Sequence, residues 1–153
     1  MLFTGTKEYN VDEKGRVVLP TRYREVLSGD IMIFKDIQSN CINVYPYKEY
    51  EKYISTIYDE NDMIDRETKL LINRVISRAE AVQLDKQGRI MIPQKMRDSI
   101  GIEKDVFVSG AIKSIEIWTP QAYELEYGDD DEAVKAYVNK LKAKRELKMK
   151  GLS

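Results

Sequence analysis

Two short stretches of this 153-residue sequence place basic side chains at matching positions. "VDEKGRVVLP" begins at Val11, and "LDKQGRIMIP" begins 73 residues later at Leu84. In each stretch an arginine follows a glycine, a lysine flanks the same turn, and two more basic residues follow the proline. Arginine carries five donors in a rigid fork that suits phosphate oxygens and guanine edges. The sequence therefore predicts a nucleic-acid-contacting set made of Lys14, Arg16, Arg22, Arg24, Lys86, Arg89, Lys95 and Arg97.

The same two stretches contain residues of a type that builds tight turns. An aspartate stands four residues before each arginine and a glycine directly before it, and both types are favoured in turns. We interpret Asp12, Gly15, Asp85 and Gly88 as structural turn residues. An alternative stays open, in which each Asp and Arg pair only braces its own turn. Both interpretations can hold together if the turn presents the neighbouring basic residues to the ligand.

The composition limits the classes of function. The 25 basic and 26 acidic side chains leave a net charge of -1, so a polyanion would have to be held by a local cluster. The sequence has no histidine and one cysteine, Cys41, which removes the commonest general base, the commonest metal ligand and any internal disulfide. We expect no enzyme activity, no cofactor, no metal and no small-molecule substrate. Without a leader or a long apolar run, we also expect a cytoplasmic protein with no membrane partner.

The 73-residue register extends beyond the two motifs. "CINVYPYKEY" from Cys41 lies over "SIEIWTPQAY" from Ser114 without a gap. Two copies are too few for a solenoid, so a closed pseudo-two-fold domain is favoured. Each unit reads as a hairpin-like element, a short helix after Pro20 or Pro93, and two further strands. We expect one domain over 1–153, with repeats at 1–60 and 77–127, a connecting helix between them, and a charged helix over 128–153.

Several segments of the sequence together resemble a known protein family. "FTG" at Phe3, "VDEKGRVVLPTRYRE", "INVYP", "LDKQGRIMIPQKMR" and "IEIW" are similar to the MraZ family of bacterial transcriptional regulators, over roughly residues 1 to 125. A single unit resembles the AbrB-type swapped-hairpin domain, in which two chains interleave. The resemblance implies an α+β fold: a pseudo-two-fold β-barrel of two AbrB/MazE-like swapped-hairpin repeats with short helices. One departure is visible, because Arg78 stands where many members carry the glycine of Ser-Gly-Ala.

The resemblance also implies a function. It implies a nucleoid-associated, ring-shaped homo-oligomer that binds double-stranded DNA at repeated boxes upstream of the division and cell-wall gene cluster that includes its own gene. The alternative is an oligomeric ring scaffold or protein-interaction module without DNA binding. An AbrB-like antitoxin is disfavoured, because such proteins usually carry one motif and a disordered tail.

Overall fold

The computed structural model of the chain describes residues 2–58, 65–128 and 130–151. This part of the chain contains eight strands and six helices. In chain order the elements are β1 (Thr6–Asn10), β2 (Arg16–Val18), α1 (Thr21–Arg24), β3 (Ile31–Lys35), β4 (Ile42–Pro46), α2 (Tyr47–Ile57), α3 (Arg66–Ile76), β5 (Glu80–Val82), β6 (Arg89–Met91), α4 (Gln94–Ile100), β7 (Asp105–Gly110), β8 (Ile115–Trp118), α5 (Pro120–Tyr127) and α6 (Asp131–Met149). They divide into two compact units, 1–122 and 123–153.

Strand pairing interleaves the two repeats. The six-stranded antiparallel sheet has the order β1-β7-β8-β4-β3-β5. The first strand of each repeat thus pairs with the third strand of the other repeat, β1 with β7 and β5 with β3. Strands β4 and β8, which are equivalent in the two repeats, pair at the centre of the sheet. The predicted α+β fold of two swapped repeats is confirmed, and the six-stranded sheet is not closed, since β1 and β5 form its edges in the described part of the chain.

The prediction of a hairpin-like element within each repeat is wrong, because the two strands that flank each turn do not pair with each other. The turn itself closes, because the Asp12 amide donates to the Arg16 carbonyl at 2.9 Å. Strand β2 nevertheless pairs with β6, and β1 pairs with β7. Alternating apolar residues define which face of a strand is buried, whereas they carry no information about its partner.

Both repeats contribute matching residues to one hydrophobic core. The members that occupy equivalent positions are Val17 and Ile90, Leu19 and Ile92, Ile33 and Val106, Ile42 and Ile115, and Val44 and Ile117. All ten side chains are buried, with at most 1% of each exposed. A fully buried aliphatic side chain contributes about 1.5 to 3 kcal/mol through the area it removes from water. The two repeats therefore share one hydrophobic core.

A second cluster forms where α2 and α3 pack on the first repeat. Phe34 of β3 lies with its ring centroid 5.5 Å from that of Tyr50 and 5.3 Å from that of Tyr53, both on α2. Val75 of α3 is buried in the same cluster. The apolar side chains of α2 recur at helical spacing, yet this helix was not predicted from the sequence.

The connecting helix and the C-terminal helix are both present. Helix α3 begins after Asp65, whose side chain accepts from the Thr68 amide at 2.7 Å. Helix α6 begins after Asp130, whose side chain accepts from the Ala133 amide at 3.0 Å. Residues 59–64, at the start of the segment predicted to connect the repeats, lie outside the described residues. No helix in the described part of the chain is both long and apolar enough to cross a membrane.

Candidate nucleic-acid interface

The two glycine turns have the same geometry. Asp12 Oδ1 accepts from the amides of Lys14 at 3.0 Å and Arg16 at 2.8 Å, while its Oδ2 lies 2.7 Å from the Arg16 Nε. Gly15 closes the turn with a φ of 85°, in the left-handed region that favours glycine. The aspartate thus orients the turn and the arginine together.

The second turn repeats these contacts. Asp85 Oδ1 accepts from the amides of Gln87 and Arg89, both at 2.9 Å, and its Oδ2 lies 2.7 Å from the Arg89 Nε. Gly88 has a φ of 73°. In both turns the Nε of the arginine is occupied, and no partner within the described residues contacts its two Nη atoms. The side chains of Arg16 and Arg89 are 29% and 23% exposed, so these atoms reach the surface at a defined place.

Backbone hydrogen bonds lower the pKa of both aspartates. For Asp12 the largest cause is the hydrogen bond from the Arg16 amide, and for Asp85 it is the one from the Arg89 amide. The arginine side chains lower the pKa of each carboxyl further. Both carboxylates are therefore ionised at neutral pH, and the ion pairs of the two turns persist there.

The antiparallel β2–β6 ribbon places the two turns at its opposite ends. Val17 pairs with Ile90 at the centre of this two-stranded ladder, and both side chains are buried. Leu19 donates its amide to the Gly88 carbonyl at 3.0 Å, and Ile92 donates to the Gly15 carbonyl at 2.8 Å. Each turn is thus fixed against the strand of the other repeat.

The outward face of this ribbon combines two arginines with two apolar side chains. Arg16 pairs with Met91, and Val18 pairs with Arg89. Paired residues in an antiparallel ladder share a face, so all four lie opposite the buried Val17 side. Val18 is 37% exposed and Met91 is 51% exposed. Val18 and Met91 were not predicted from the sequence, because three-residue strands are too short for alternation to reveal the exposed face.

Arg24 and Arg97 lie across the repeat boundary. The Nε of Arg24 donates to the Leu19 carbonyl at 3.0 Å, and the Nε of Arg97 donates to the Ile92 carbonyl at 2.9 Å. Their guanidinium groups lie beside the glycine of the opposite turn, Gly88 for Arg24 and Gly15 for Arg97. These half-buried arginines pack against the turn of the other repeat. Residue spacing in the sequence does not reveal this contact.

The remaining candidate cations lie in different environments. Lys14 and Lys86 are exposed but occupy different turn positions, since the residue equivalent to Lys14 is Gln87. Lys95 is exposed on α4. Arg22 is exposed on α1, yet its Nη2 donates to the Thr4 carbonyl. The structure thus brings both turn arginines to one ribbon and leaves the other exposed cations on the turns and on α1 and α4.

Comparison with known proteins identifies relatives over most of the chain. A family model described as "MraZ protein, putative antitoxin-like" matches residues 2–73 and 75–136. The transcriptional regulator MraZ of Acetivibrio thermocellus is 30% identical over 140 residues, which cover 92% of this chain and 96% of that protein. The transcriptional regulator MraZ of Treponema pallidum strain Nichols is 32% identical over 121 residues, covering 79% and 81%. That of Shewanella sp. strain ANA-3 is 32% identical over 139 residues, covering 88% and 91%.

These relatives are named as transcriptional regulators, not as enzymes. The names agree with the predicted family and with the prediction that the chain has no enzyme activity. Within the described residues no group of three or more His, Cys, Asp or Glu side chains is arranged to hold a metal ion.

Proposed function

The chain belongs to the MraZ family, and we propose that it is a sequence-specific DNA-binding transcriptional regulator that uses the outward face of the β2–β6 ribbon. The observation that carries the proposal is the arrangement of this face. Arg16 and Arg89 occupy pseudo-two-fold-related positions on it, beside Val18 and Met91. Each arginine is oriented by an aspartate and retains Nη atoms with no partner among the described residues.

The major groove of B-DNA is wide enough for a two-stranded β-ribbon. An arginine held at its Nε can still direct its Nη atoms to the acceptors of a guanine edge. Apolar side chains such as Val18 and Met91 suit contact with thymine methyl groups. Orientation before binding lowers the entropy lost when a long side chain is immobilised, which is the contribution we assign to Asp12 and Asp85.

The surrounding cations would position the protein rather than read sequence. Phosphate contacts fix the register of a protein on the duplex and carry no sequence information directly. We assign Lys14, Lys86, Arg22 and Lys95 to phosphates that flank the groove. Arg24 and Arg97 support the turns through their Nε atoms, and their remaining donors can reach the same phosphates.

We further propose that the active form is a homo-oligomer, a ring, that binds direct repeats in its own promoter. A chain of net charge -1 with four basic residues per motif has little electrostatic attraction for DNA as a single copy. Linking several sites raises the effective concentration of each and supplies the missing affinity. A cyclic ring relates neighbouring copies by rotation in one sense, which favours direct repeats over palindromes. The protein would act in the cytoplasm, on the nucleoid.

The experiment that tests this function is footprinting on the region upstream of the protein's own gene. We expect protection of repeated boxes spaced by about 10 to 10.5 bp or a multiple of it. Inserting about 5 bp between two boxes moves one box to the opposite face of the duplex and should remove most of the gain from linking. Light scattering should find an oligomer in the same buffer.

Two results would contradict the proposal. Uniform affinity across spacers and sequences would exclude repeat recognition. A well-formed ring that protects no DNA would favour the alternative, a scaffold or protein-interaction module.

A further inference from the structure

A surface groove beside the second repeat collects cations from separate elements. Its volume is about 450 Å³. Lys35 ends β3, Arg78 lies in the turn between α3 and β5, and Lys95 lies on α4, while Glu80 is the carboxylate in its lining. We call this cavity the second-repeat groove.

The first repeat has an equivalent groove with different chemistry. Its volume is about 640 Å³, and residues at the matching positions line it. The matched pairs, 73 residues apart, are Gly5 with Arg78, Lys7 with Glu80, Arg22 with Lys95, and Val108 with Lys35. The duplication therefore retained the cavity while its charged lining changed.

The first groove is also lined by three cations, Lys7, Arg22 and Arg24, and each of them already has a partner within the chain. Arg22 donates to the Thr4 carbonyl, and its guanidinium carbon lies 5.1 Å from the centroid of the Tyr23 ring. Its Nη2 lies 2.7 Å from the place where a Cβ on Gly5 would be. Arg22 thus lies over Gly5, and its guanidinium group is held against the wall of the first groove.

In the second-repeat groove the cations are unengaged. Lys35, Arg78 and Lys95 are all exposed, and none of their side chains has a hydrogen bond or ion pair with another described residue. Gly5 has a φ of 83°, whereas its equivalent Arg78 has no positive φ, so the backbone there suits a side chain. Three cations and one carboxylate give the lining of this groove a net positive charge, which favours an anion.

We propose that the second-repeat groove binds phosphate groups of the DNA backbone beside the box, so that each copy holds the duplex more firmly on its second-repeat side. This inference rests on the proposed function. Helix α4 contributes to both places, since it carries Lys95 in the lining of the groove and Arg97, which lies against Gly15 of the first turn. An unequal hold on the two sides gives each copy a direction along the duplex, which direct repeats require.

The test compares two double variants that each remove two positive charges. One is Lys35→Gln with Arg78→Gln, and the control is Lys48→Gln with Lys113→Gln, which are exposed and do not line the groove. The affinity for footprinted DNA is titrated across salt concentrations. Each lost phosphate contact reduces the slope of log affinity against log salt by about 0.9. We expect the slope of the groove variant to be shallower by about 1 to 2 per engaged copy and that of the control to match the wild type.

Two further readouts separate phosphate binding from loss of fold or of base reading. The ratio of affinities for box and scrambled DNA should stay the same in the groove variant, because phosphate contacts do not carry sequence. Glu80→Gln removes the opposing carboxylate and should tighten binding. Lys35→Arg should keep the wild-type slope. Circular dichroism and urea unfolding confirm that each variant is folded.

Free phosphate is the other source of the same ligand chemistry. Inorganic phosphate and pyrophosphate are therefore titrated into the DNA-free protein, with the amide resonances of Arg78 and Lys95 as probes. Saturation below millimolar concentration, with an unchanged DNA salt slope, would assign the groove to a phosphorylated compound and overturn the DNA assignment.

Other outcomes are equally decisive. A groove variant indistinguishable from its control, with no phosphate response, would overturn the site altogether. If wild-type protein binds no DNA, the proposed function fails and the backbone-phosphate inference fails with it. The phosphate titration then decides whether the groove is an anion site at all.

Discussion

Arg24 of the first repeat lies against Gly88 of the second, so close that a Cβ added to Gly88 would overlap the Arg24 guanidinium. The equivalent pair is Arg97 and Gly15, where an added Cβ would lie 2.7 Å from the Arg97 Nε. Each turn glycine therefore meets two demands, a left-handed backbone and a close approach by an arginine from the other repeat. The turns that we assign to DNA reading are built jointly by both halves of the chain.

Gly88→Ala should destabilise the protein more than Gly29→Ala does. Both glycines have a positive φ, which costs a non-glycine residue about 1 to 3 kcal/mol, but only at Gly88 does Arg24 occupy the space. A Cβ at Gly29 meets nothing within 4 Å, so this variant measures the backbone cost alone. The free energies of unfolding in urea give the comparison.

A double variant checks the steric part of that prediction. In an Arg24→Ala background, the cost of Gly88→Ala should fall towards the cost of Gly29→Ala. Equal costs in both backgrounds would show that Arg24 does not restrict Gly88.

Arg16→Ala and Arg89→Ala should weaken DNA binding and leave the fold intact. Loss of a bidentate base contact costs about 1 to 3 kcal/mol per engaged site, whereas an ion pair that water can reach contributes little to stability. Fluorescence anisotropy measures the first quantity and urea unfolding the second. Lys52→Ala, which removes an exposed pair with Glu49, is the matched control.

If Arg16→Ala unfolds the protein while a refolded sample binds normally, the arginine is a scaffold residue only. The Asp12 pair would then explain its presence completely.

The two aspartates should stabilise the protein at neutral pH and lose this contribution in acid. Their pKa values are lowered below the usual 3.8 in the folded state, so the unfolded chain binds protons first as pH falls. The contribution is complete above the unfolded pKa and disappears as pH falls through the folded pKa. An Asp12→Asn, Asp85→Asn variant should therefore differ from wild type most at about pH 6 to 7, and the difference should shrink below about pH 3.8.

Urea unfolding of both proteins from about pH 7 to about pH 3 measures this difference. With no histidine in the sequence, DNA affinity should also stay constant between about pH 6 and 8. A difference that grows in acid would show that the aspartates are not held as carboxylates.

Neither repeat should fold alone as a monomer. Strand β1 needs β7, and β5 needs β3, so fragments 1–76 and 77–153 each lack partners for edge and ribbon strands. Mixing the two fragments should restore a dispersed amide spectrum at a one-to-one ratio. A fragment that is folded and monomeric by light scattering would contradict the interleaved architecture.

Features that depend on local chemistry are readable in the order of the residues. The 73-residue register predicted matching turns, and Asp12 with Gly15 is a turn signature whose hydrogen bonds lie within five residues. The cap of α3 and the acidic-to-basic pattern of the C-terminal helix are local in the same sense. Helix α2 was not predicted, although its apolar residues recur at helical spacing. The residues after Pro46 were compared with the other repeat, and such a comparison does not test for a helical period.

Which segments meet depends on the folded core. The pairing of β1 with β7, the contact of Arg24 with Gly88 and the convergence of Lys35, Arg78 and Lys95 all join residues far apart in the chain. Apolar alternation indicates which face of a strand is buried, and positive charge indicates attraction to an anion. Neither indicates which other segment of the chain a residue will contact. The partner is selected when the whole core closes, because that is the arrangement in which every strand buries its apolar face at once.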